Sequence, residues 1–215
     1  MKIKLLPLLL LFCTLILATN TTAGEDIHAV LGRLEAKAVQ VNSIESNFVQ
    51  TKKLAMFDKS LISKGKIFLK KPGQFAWHQR EPIRYSLVIK GDSVRQWDEE
   101  TGRVQEISVV DNPSFSTALK QMTEWFSGVY TDLLKDYAIT IREQNPLVLK
   151  FIPRPDSSSF NLFKKVEVVF QKDERYIQEI HIEERNGDTT RLKFTETKIN
   201  TDIKPAAWEA KPYAD

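Results

Sequence analysis

Three histidines, His28, His78 and His181, are the residues of this chain best suited to proton transfer or metal ligation. They stand far apart, and none belongs to the H-x-x-x-H or H-E-x-x-H spacing that would put two imidazoles on one helix face. They read as core or partly exposed side chains, with no metal centre. Asp98-Glu99-Glu100 and Glu183-Glu184 could supply the paired carboxylates of general acid–base catalysis. Both clusters border turn signals, where solvated charge is the ordinary state. The single cysteine, Cys13, lies in an apolar N-terminal run, so a mature chain has no thiolate chemistry. No G-x-S-x-G, G-x-G-x-x-G or phosphate loop is present. These residues support neither an enzyme nor a cofactor. Lys64, Lys66, Lys70 and Lys71 form a small basic cluster, suited to an acidic partner or headgroup and equally to a sheet edge guarded against aggregation.

The excess in this sequence is apolar. It holds 12 Phe, 4 Trp and 5 Tyr. Phe115, Ala118, Leu119, Met122, Trp125 and Phe126 recur at i, i+3, i+4 and i+7, which predicts a helix with one strongly apolar face. Asp111-Asn112-Pro113-Ser114 supplies its start and Gly128 its end. A second amphipathic helix is predicted over 25–41 from Ile27, Val30, Leu31, Leu34, Ala38 and Val41.

The rest reads as strands. Ile67 and Leu69 alternate, as do Phe75 and Trp77, then Tyr85, Leu87 and Ile89, with turn signals at Lys71-Pro72-Gly73, Glu81-Pro82, Gly91-Asp92 and Glu100-Thr101-Gly102. Further strands are expected at Tyr137–Arg142, Leu147–Pro153, Lys165–Gln171, Tyr176–Glu183 and Thr189–Lys198, the last two joined by an Asn186-Gly187 turn. An antiparallel sheet of about ten strands curls, and apolar helices must cover its inner face. The expected fold is α+β, mainly β: one curved antiparallel sheet forming an unclosed barrel. The helical insertion interrupts a meander where a turn would suffice, and the first helix already covers apolar surface. A second cover suggests a cavity with a lid.

Lys2 and Lys4, the apolar run Leu5 to Ala18 and the small-residue exit Thr21-Thr22-Ala23 form a secretory signal peptide over 1–23. The run is too short for a membrane span and contains Pro7. The expected location is periplasmic, with 24–215 as a single domain held together without disulfides. The 215 residues, 42% hydrophobic and 27% charged with 8 Gly and 9 Pro, exclude collagen, coiled-coil and disulfide-scaffold classes. The net charge of +3 leaves no electrostatic reason to expect nucleic acid.

Ser46-Asn47-Phe48-Val49-Gln50, followed by Gly65-Lys66-Ile67-Phe68-Leu69-Lys70-Lys71-Pro72-Gly73-Gln74-Phe75-Ala76-Trp77, closely resembles the signature of the LolA family of periplasmic lipoprotein carriers. That signature runs F-x-Q, a spacer, a glycine before an aromatic and aliphatic run, R/K-P, then F-x-W. Pro82, the Leu87-Val88-Ile89 strand and the Gly91-Asp92 turn before Trp97 continue the match. The resemblance implies an unclosed β-barrel with a helical lid that shelters lipoprotein acyl chains. It also implies a monomer that takes cargo from an inner-membrane ABC transporter and delivers it to an outer-membrane acceptor. Leu69, Trp77, Leu87, Ile89, Trp97, Met122, Trp125 and Phe126 are the expected cavity residues. The family's arginine before the motif proline, which latches the lid, falls here on Lys71, and a lysine offers point-like donors instead of a planar fork. The chain ends soon after Trp208, short of the C-terminal extension of better-known members. Both departures keep two alternatives open: a LolA-like carrier of another amphiphile, such as a glycolipid or an acylated pigment-like product, and a sensor or interaction module on the same fold.

Overall fold

Asp26 caps the first helix by accepting the His28 backbone N–H at 3.4 Å, an interaction typical of helix starts. The helix, α1, spans Ile27–Ala38. Its buried stripe of Val30, Leu31, Leu34 and Ala38 is the one the spacing predicts. It ends earlier than residue 41, because Val39 falls off that stripe and is 75% exposed. The computed structural model describes residues 25–213 except 58, 92, 109–124 and 127. The expected leader, Met122 and most of the expected 115–126 helix lie outside the described residues; Trp125 and Phe126 are described and helical.

Eleven strands follow: β1 (Ser43–Lys53), β2 (Ser60–Lys70), β3 (Gln74–Glu81), β4 (Tyr85–Lys90), β5 (Ser93–Asp98), β6 (Val104–Glu106), β7 (Tyr137–Gln144), β8 (Leu147–Pro153), β9 (Phe163–Phe170), β10 (Ile177–Glu184) and β11 (Thr189–Ile199). They form one antiparallel sheet in the order β6-β5-β4-β3-β2-β1-β11-β10-β9-β8-β7. Neighbours in the sheet are neighbours in sequence except at one seam. There β1 pairs with β11, Phe48 opposite Phe194 and Gln50 opposite Leu192. This long-range pairing joins two meanders into one sheet, and its edges, β6 and β7, do not meet. The fold is mainly β and the barrel is unclosed, as expected.

Residues directly opposite in an antiparallel pair share a face, so the register sorts the side chains. One face carries Ile44, Phe48, Ile67, Leu69, Phe75, Leu87, Ile89, Val94, Leu149, Phe151, Val166, Val168, Ile180, Leu192 and Phe194. These form a single apolar cluster with the α1 stripe, Trp125 and Phe126. This is the covered, concave side.

The other face has two halves. Over β9–β11 it is charged: Arg191 donates to Glu179 at 2.5 and 3.0 Å, with His181 also against Glu179. Over β2–β4 it is apolar. Phe68, Ala76 and Val88 pack there against Ala207, Ile203, Trp208 and Tyr213 of the C-terminal segment. His78 is fully buried in this second cluster. Its Nε2 lies 2.8 Å from the Ala207 carbonyl, and its Nδ1 lies 2.8 Å from the Ser86 hydroxyl.

Candidate functional site

The concave face does not fill completely. A hollow of about 400 Å³ opens beside the β2–β3 and β4–β5 turns, lined by Leu69, Phe75, Ile89 and Phe126 with Lys71 and Pro72 at its mouth. A second, of about 290 Å³, is lined by Trp77, Trp125, Phe126, Phe163, Ile180 and Leu192, with Gln50, Lys52, Glu184 and Thr190 also in its wall. Phe126 lines both and partitions the space. Its ring lies 6.0 Å from Phe75 on one side and 5.5 Å, edge-on, from Phe194 on the other. Trp125 and Phe126 are only 5% and 7% exposed.

The motif residues explain how the floor of this space is laid. Phe48 on β1 lies opposite Gly65 on β2. With no side chain at 65, Phe48 reaches across to Trp77 on β3, ring centroids 3.8 Å apart. A Cβ at position 65 would also sit 2.0 Å from the His78 carbonyl oxygen. Only glycine admits both contacts. The phenylalanine, glycine and tryptophan of the sequence signature are therefore one packing unit.

Leu69, Trp77, Leu87, Ile89, Trp125 and Phe126 come together on the concave side. Trp97 does not join them: it pairs with Ser86, whereas Leu87 pairs with Gln96 and Ile89 with Val94. The register thus places Trp97 on the opposite face from Leu87 and Ile89, although it is 9% exposed. Alternation within β5 could not reveal this, because face follows from pairing across the Lys90–Ser93 turn. Phe75, Phe194 and Leu192 were missed as site residues. Phe75 was legible in the F-x-W motif, whereas the two on β11 reach the site only through the β1–β11 seam.

Lys71 stands at a junction. Its Nζ donates to the carbonyl of Ala38, the last residue of α1, at 2.9 Å. That carbonyl also accepts the Val41 backbone N–H at 3.0 Å, and a cation there opposes the negative end of the helix dipole. Burial pushes its ammonium below the usual lysine range. Gly128, at φ +80°, passes so close that a Cβ would lie 2.5 Å from the Ala38 Cβ and 3.4 Å from Lys71 Nζ.

Two further ties hold α1. The Glu35 carboxylate accepts from the backbone N–H and hydroxyl of Thr131 at 2.6 and 2.7 Å. Glu174, between β9 and β10, accepts from Arg33 Nε at 2.9 Å and Lys37 Nζ at 2.7 Å. The Arg33 guanidinium holds the Glu174 carboxyl below its ordinary range. Replacing Lys71 with methionine is expected to cost about 1–2 kcal/mol for the lost charged hydrogen bond and to speed amide exchange selectively in the last turn of α1. Unchanged exchange there would contradict the capping role.

The groups that looked suited to catalysis are otherwise engaged. Asp98 holds the turn through Thr101 at 2.8 and 3.0 Å. Glu99 pairs with Arg84 at 3.0 Å, Glu183 with Lys164 at 2.6 Å and Glu184 with Lys52 at 2.9 Å. Lys64 pairs with Glu81 at 2.9 Å and Lys66 faces Glu45 at 3.6 Å. Among the described residues, no group of three or more His, Cys, Asp or Glu could hold a metal ion. No helix among them is long and apolar enough to cross a membrane.

One polar atom of Trp125 is unprovided for. Trp125 Nε1 is sealed from solvent with no hydrogen-bond partner among the described residues, a deficit of about 1–3 kcal/mol for a buried donor.

Comparison with known proteins agrees with this architecture. A 28% identical outer-membrane lipoprotein carrier protein of Pseudomonas putida strain GB-1 aligns over 195 residues, 89% of this chain and 87% of its own. One of Legionella pneumophila strain Paris is 22% identical over 190 residues, 86% of this chain and 89% of its own. Among solved structures, the MucA/MucB complex of Pseudomonas aeruginosa superposes with a TM-score of 0.50 at 14% identity, covering 85% of this chain and 60% of that one, which shows a shared fold. The model of the outer membrane lipoprotein carrier protein LolA matches residues 39–211. That span contains both the signature and the walls of the hollow, and the chain belongs to the LolA family of lipoprotein carriers.

Proposed function

We propose that this protein is an exported, non-enzymatic carrier that shelters the acyl chains of lipoproteins while they cross the periplasm. In this reading it takes them from an inner-membrane ABC transporter and surrenders them to an outer-membrane acceptor. The observation that carries the reading is the divided apolar hollow on the concave face, lined by Leu69, Phe75 and Ile89 on one side of Phe126 and by Trp77, Trp125, Ile180 and Leu192 on the other; Leu87 belongs to the apolar cluster around it. Met122, outside the described residues, belongs to the same helical stripe by spacing.

Exposing a methylene to water costs about 0.8 kcal/mol, so one chain of about 16 carbons costs on the order of 12 kcal/mol. An aqueous crossing requires that the chains be covered. An empty chamber of this kind would itself be a sticky patch, and Phe126 divides it when no cargo is present. Loading turns Phe126 aside and makes one chamber of two. Because α1 is tied at Lys71, Thr131 and Glu174, the moving part is the Trp125–Phe126 segment, and Lys71 acts by holding the end of α1.

Protein purified from the periplasm without detergent should show a bound acyl mass in native mass spectrometry, and should bind a tripalmitoylated cysteinyl peptide. Phe126→Glu should weaken that binding at least about ten-fold, since a carboxylate in the chamber is buried against hydrocarbon, while far-UV circular dichroism stays unchanged. Absence of both the bound mass and peptide binding in the natural sequence would sink the carrier reading.

A further inference from the structure

We infer that the tip of the β1–β2 hairpin docks on an anionic lipid surface, sinking Met56, Phe57, Leu61 and Ile62 into its interfacial layer. Among the described residues nine large apolar side chains are exposed, and these four of them crowd into seven positions, with Met56 90% and Phe57 61% exposed. The other five come singly along the chain, as is ordinary for a folded surface. A concentration of exposed apolar side chains marks an interaction site. The tip is preformed. The Leu54 carbonyl accepts the Phe57 backbone N–H at 3.1 Å, and the Ala55 N–H donates to the Asp188 carboxylate, in the β10–β11 turn, at 2.8 Å.

The shape of the tip selects the partner. Leu61 pairs with Lys52 and Ile62 with Thr51, so these two chain neighbours point to opposite faces of the hairpin. Apolar surface therefore lies on both sides as well as at the end. A protein groove covers one side of such a projection, whereas a lipid surface covers all of it. Charge favours the same partner. Lys53 and Lys59 are exposed beside the tip, with Asp58 the one acidic residue between them, while Lys52 and Lys64 already pair with Glu184 and Glu81. Cations flanking exposed apolar side chains suit anionic headgroups. Depth is limited as well. The pairing of β2 with β3 reaches only Lys64, opposite Glu81, so residues 60–63 present a free strand edge, which the hydrocarbon core does not admit. Docking is thus confined to the headgroup layer. Lys52 also lines the second hollow, so a docked tip brings that hollow to the membrane; this consequence rests on the carrier reading, and the docking itself does not.

The test is flotation of the protein, purified from the periplasm, with vesicles of phosphatidylethanolamine and phosphatidylglycerol. The natural sequence should float with them, and the double variant Met56→Ser, Phe57→Ser should partition at least about ten-fold less. Val39→Ser, at a site just past α1 that is 75% exposed, should partition as the natural sequence does. All three substitutions replace exposed side chains, so the fold survives them, as circular dichroism should verify. In Phe57→Cys carrying an environment-sensitive fluorophore, emission should move to the blue with vesicles, and shallow lipid quenchers should act more strongly than deep ones. No flotation with pure lipid, the result expected if the tip instead seats in a protein groove, would overturn the inference. Flotation that survives the double substitution, or a labelled tip that stays in water, would overturn it equally, and all three results leave the carrier reading intact. A protein that docks on vesicles and binds no acylated peptide would overturn the carrier reading and leave this inference standing.

Discussion

Replacing Gly65 with alanine is expected to destabilise the protein by at least about 3 kcal/mol, placing it among the most damaging single-methyl additions the fold could receive. The new Cβ would sit 2.0 Å from the His78 carbonyl oxygen and 2.8 Å from Gln79 Cα. Both obstacles are backbone, so no rotamer change relieves them, and β2 must move away from β3. That movement breaks the register at the point where the pairing already shifts, between Lys64 and Gly65. It also opens the Phe48–Trp77 contact at 3.8 Å, which spans β2 only because position 65 is bare. For a domain of this size each kcal/mol lowers Tm by about 2–4 °C. A fall of roughly 6–12 °C is therefore expected, with a change in tryptophan emission as Trp77 loses its neighbour. A Tm within about 2 °C of the natural sequence would show that the tight approach is not real.

Much of this architecture was legible from local pattern, because local pattern controls most of it. The α1 stripe, the strand alternation and the turn residues each depend on chain neighbours, and the elements lie where those signals put them. What escaped was non-local. The pairing of β1 with β11 leaves no periodic trace, and β1 is a poor strand by alternation because Ser46 and Gln50 share the concave face with Ile44 and Phe48. The short β6, all three residues exposed, has no hydrophobic pattern to find.

The run Ile67-Phe68-Leu69 held a clue that single-faced reasoning passes over. Three consecutive apolar residues in a strand mean that both faces are covered. Ile67 and Leu69 serve the hollow, while Phe68 lies under the C-terminal segment. The same two-sidedness accounts for Trp97, an apolar residue of the right type on the wrong face. Trp125 and Phe126 were visible from helical spacing, but the solitary Trp125 N–H was not, since only packing decides whether a donor finds an acceptor.

The second cluster makes stability depend on pH in a window of its own. The Ala207 carbonyl can only accept, so His78 carries its proton on Nε2. Nδ1 lies 2.8 Å from the Ser86 hydroxyl, which donates to the Lys211 carbonyl at 2.6 Å. Tyr213 stacks on the ring at 4.8 Å and Phe68 stands at 5.8 Å, so the imidazole is enclosed by aromatic surface and the C-terminal segment is clasped to it. Burial lowers the His78 pKa below the ordinary histidine value of 6.5, against a smaller opposing effect of the Ala207 carbonyl. A depressed pKa means that the unfolded chain takes up the proton first. Stability is then fully present above about pH 6.5 and is lost as pH falls from there through the folded-state value. This window lies above most carboxylate titrations; Glu174, for one, is held low by Arg33.

His78→Phe should remove that slope. At pH 7.5 the variant should also be less stable by about 1–3 kcal/mol, because the buried Ala207 carbonyl loses its donor. The gap between the two proteins should narrow on acidification, since only the natural sequence bears the cost of charging an enclosed imidazole. Urea unfolding at pH 7.5, 6.5 and 5.5 measures all three quantities. Parallel pH profiles for the two proteins would show that His78 does not titrate in the clasp. A variant as stable as the natural sequence at pH 7.5 would show that the clasp does not hold the C-terminal segment.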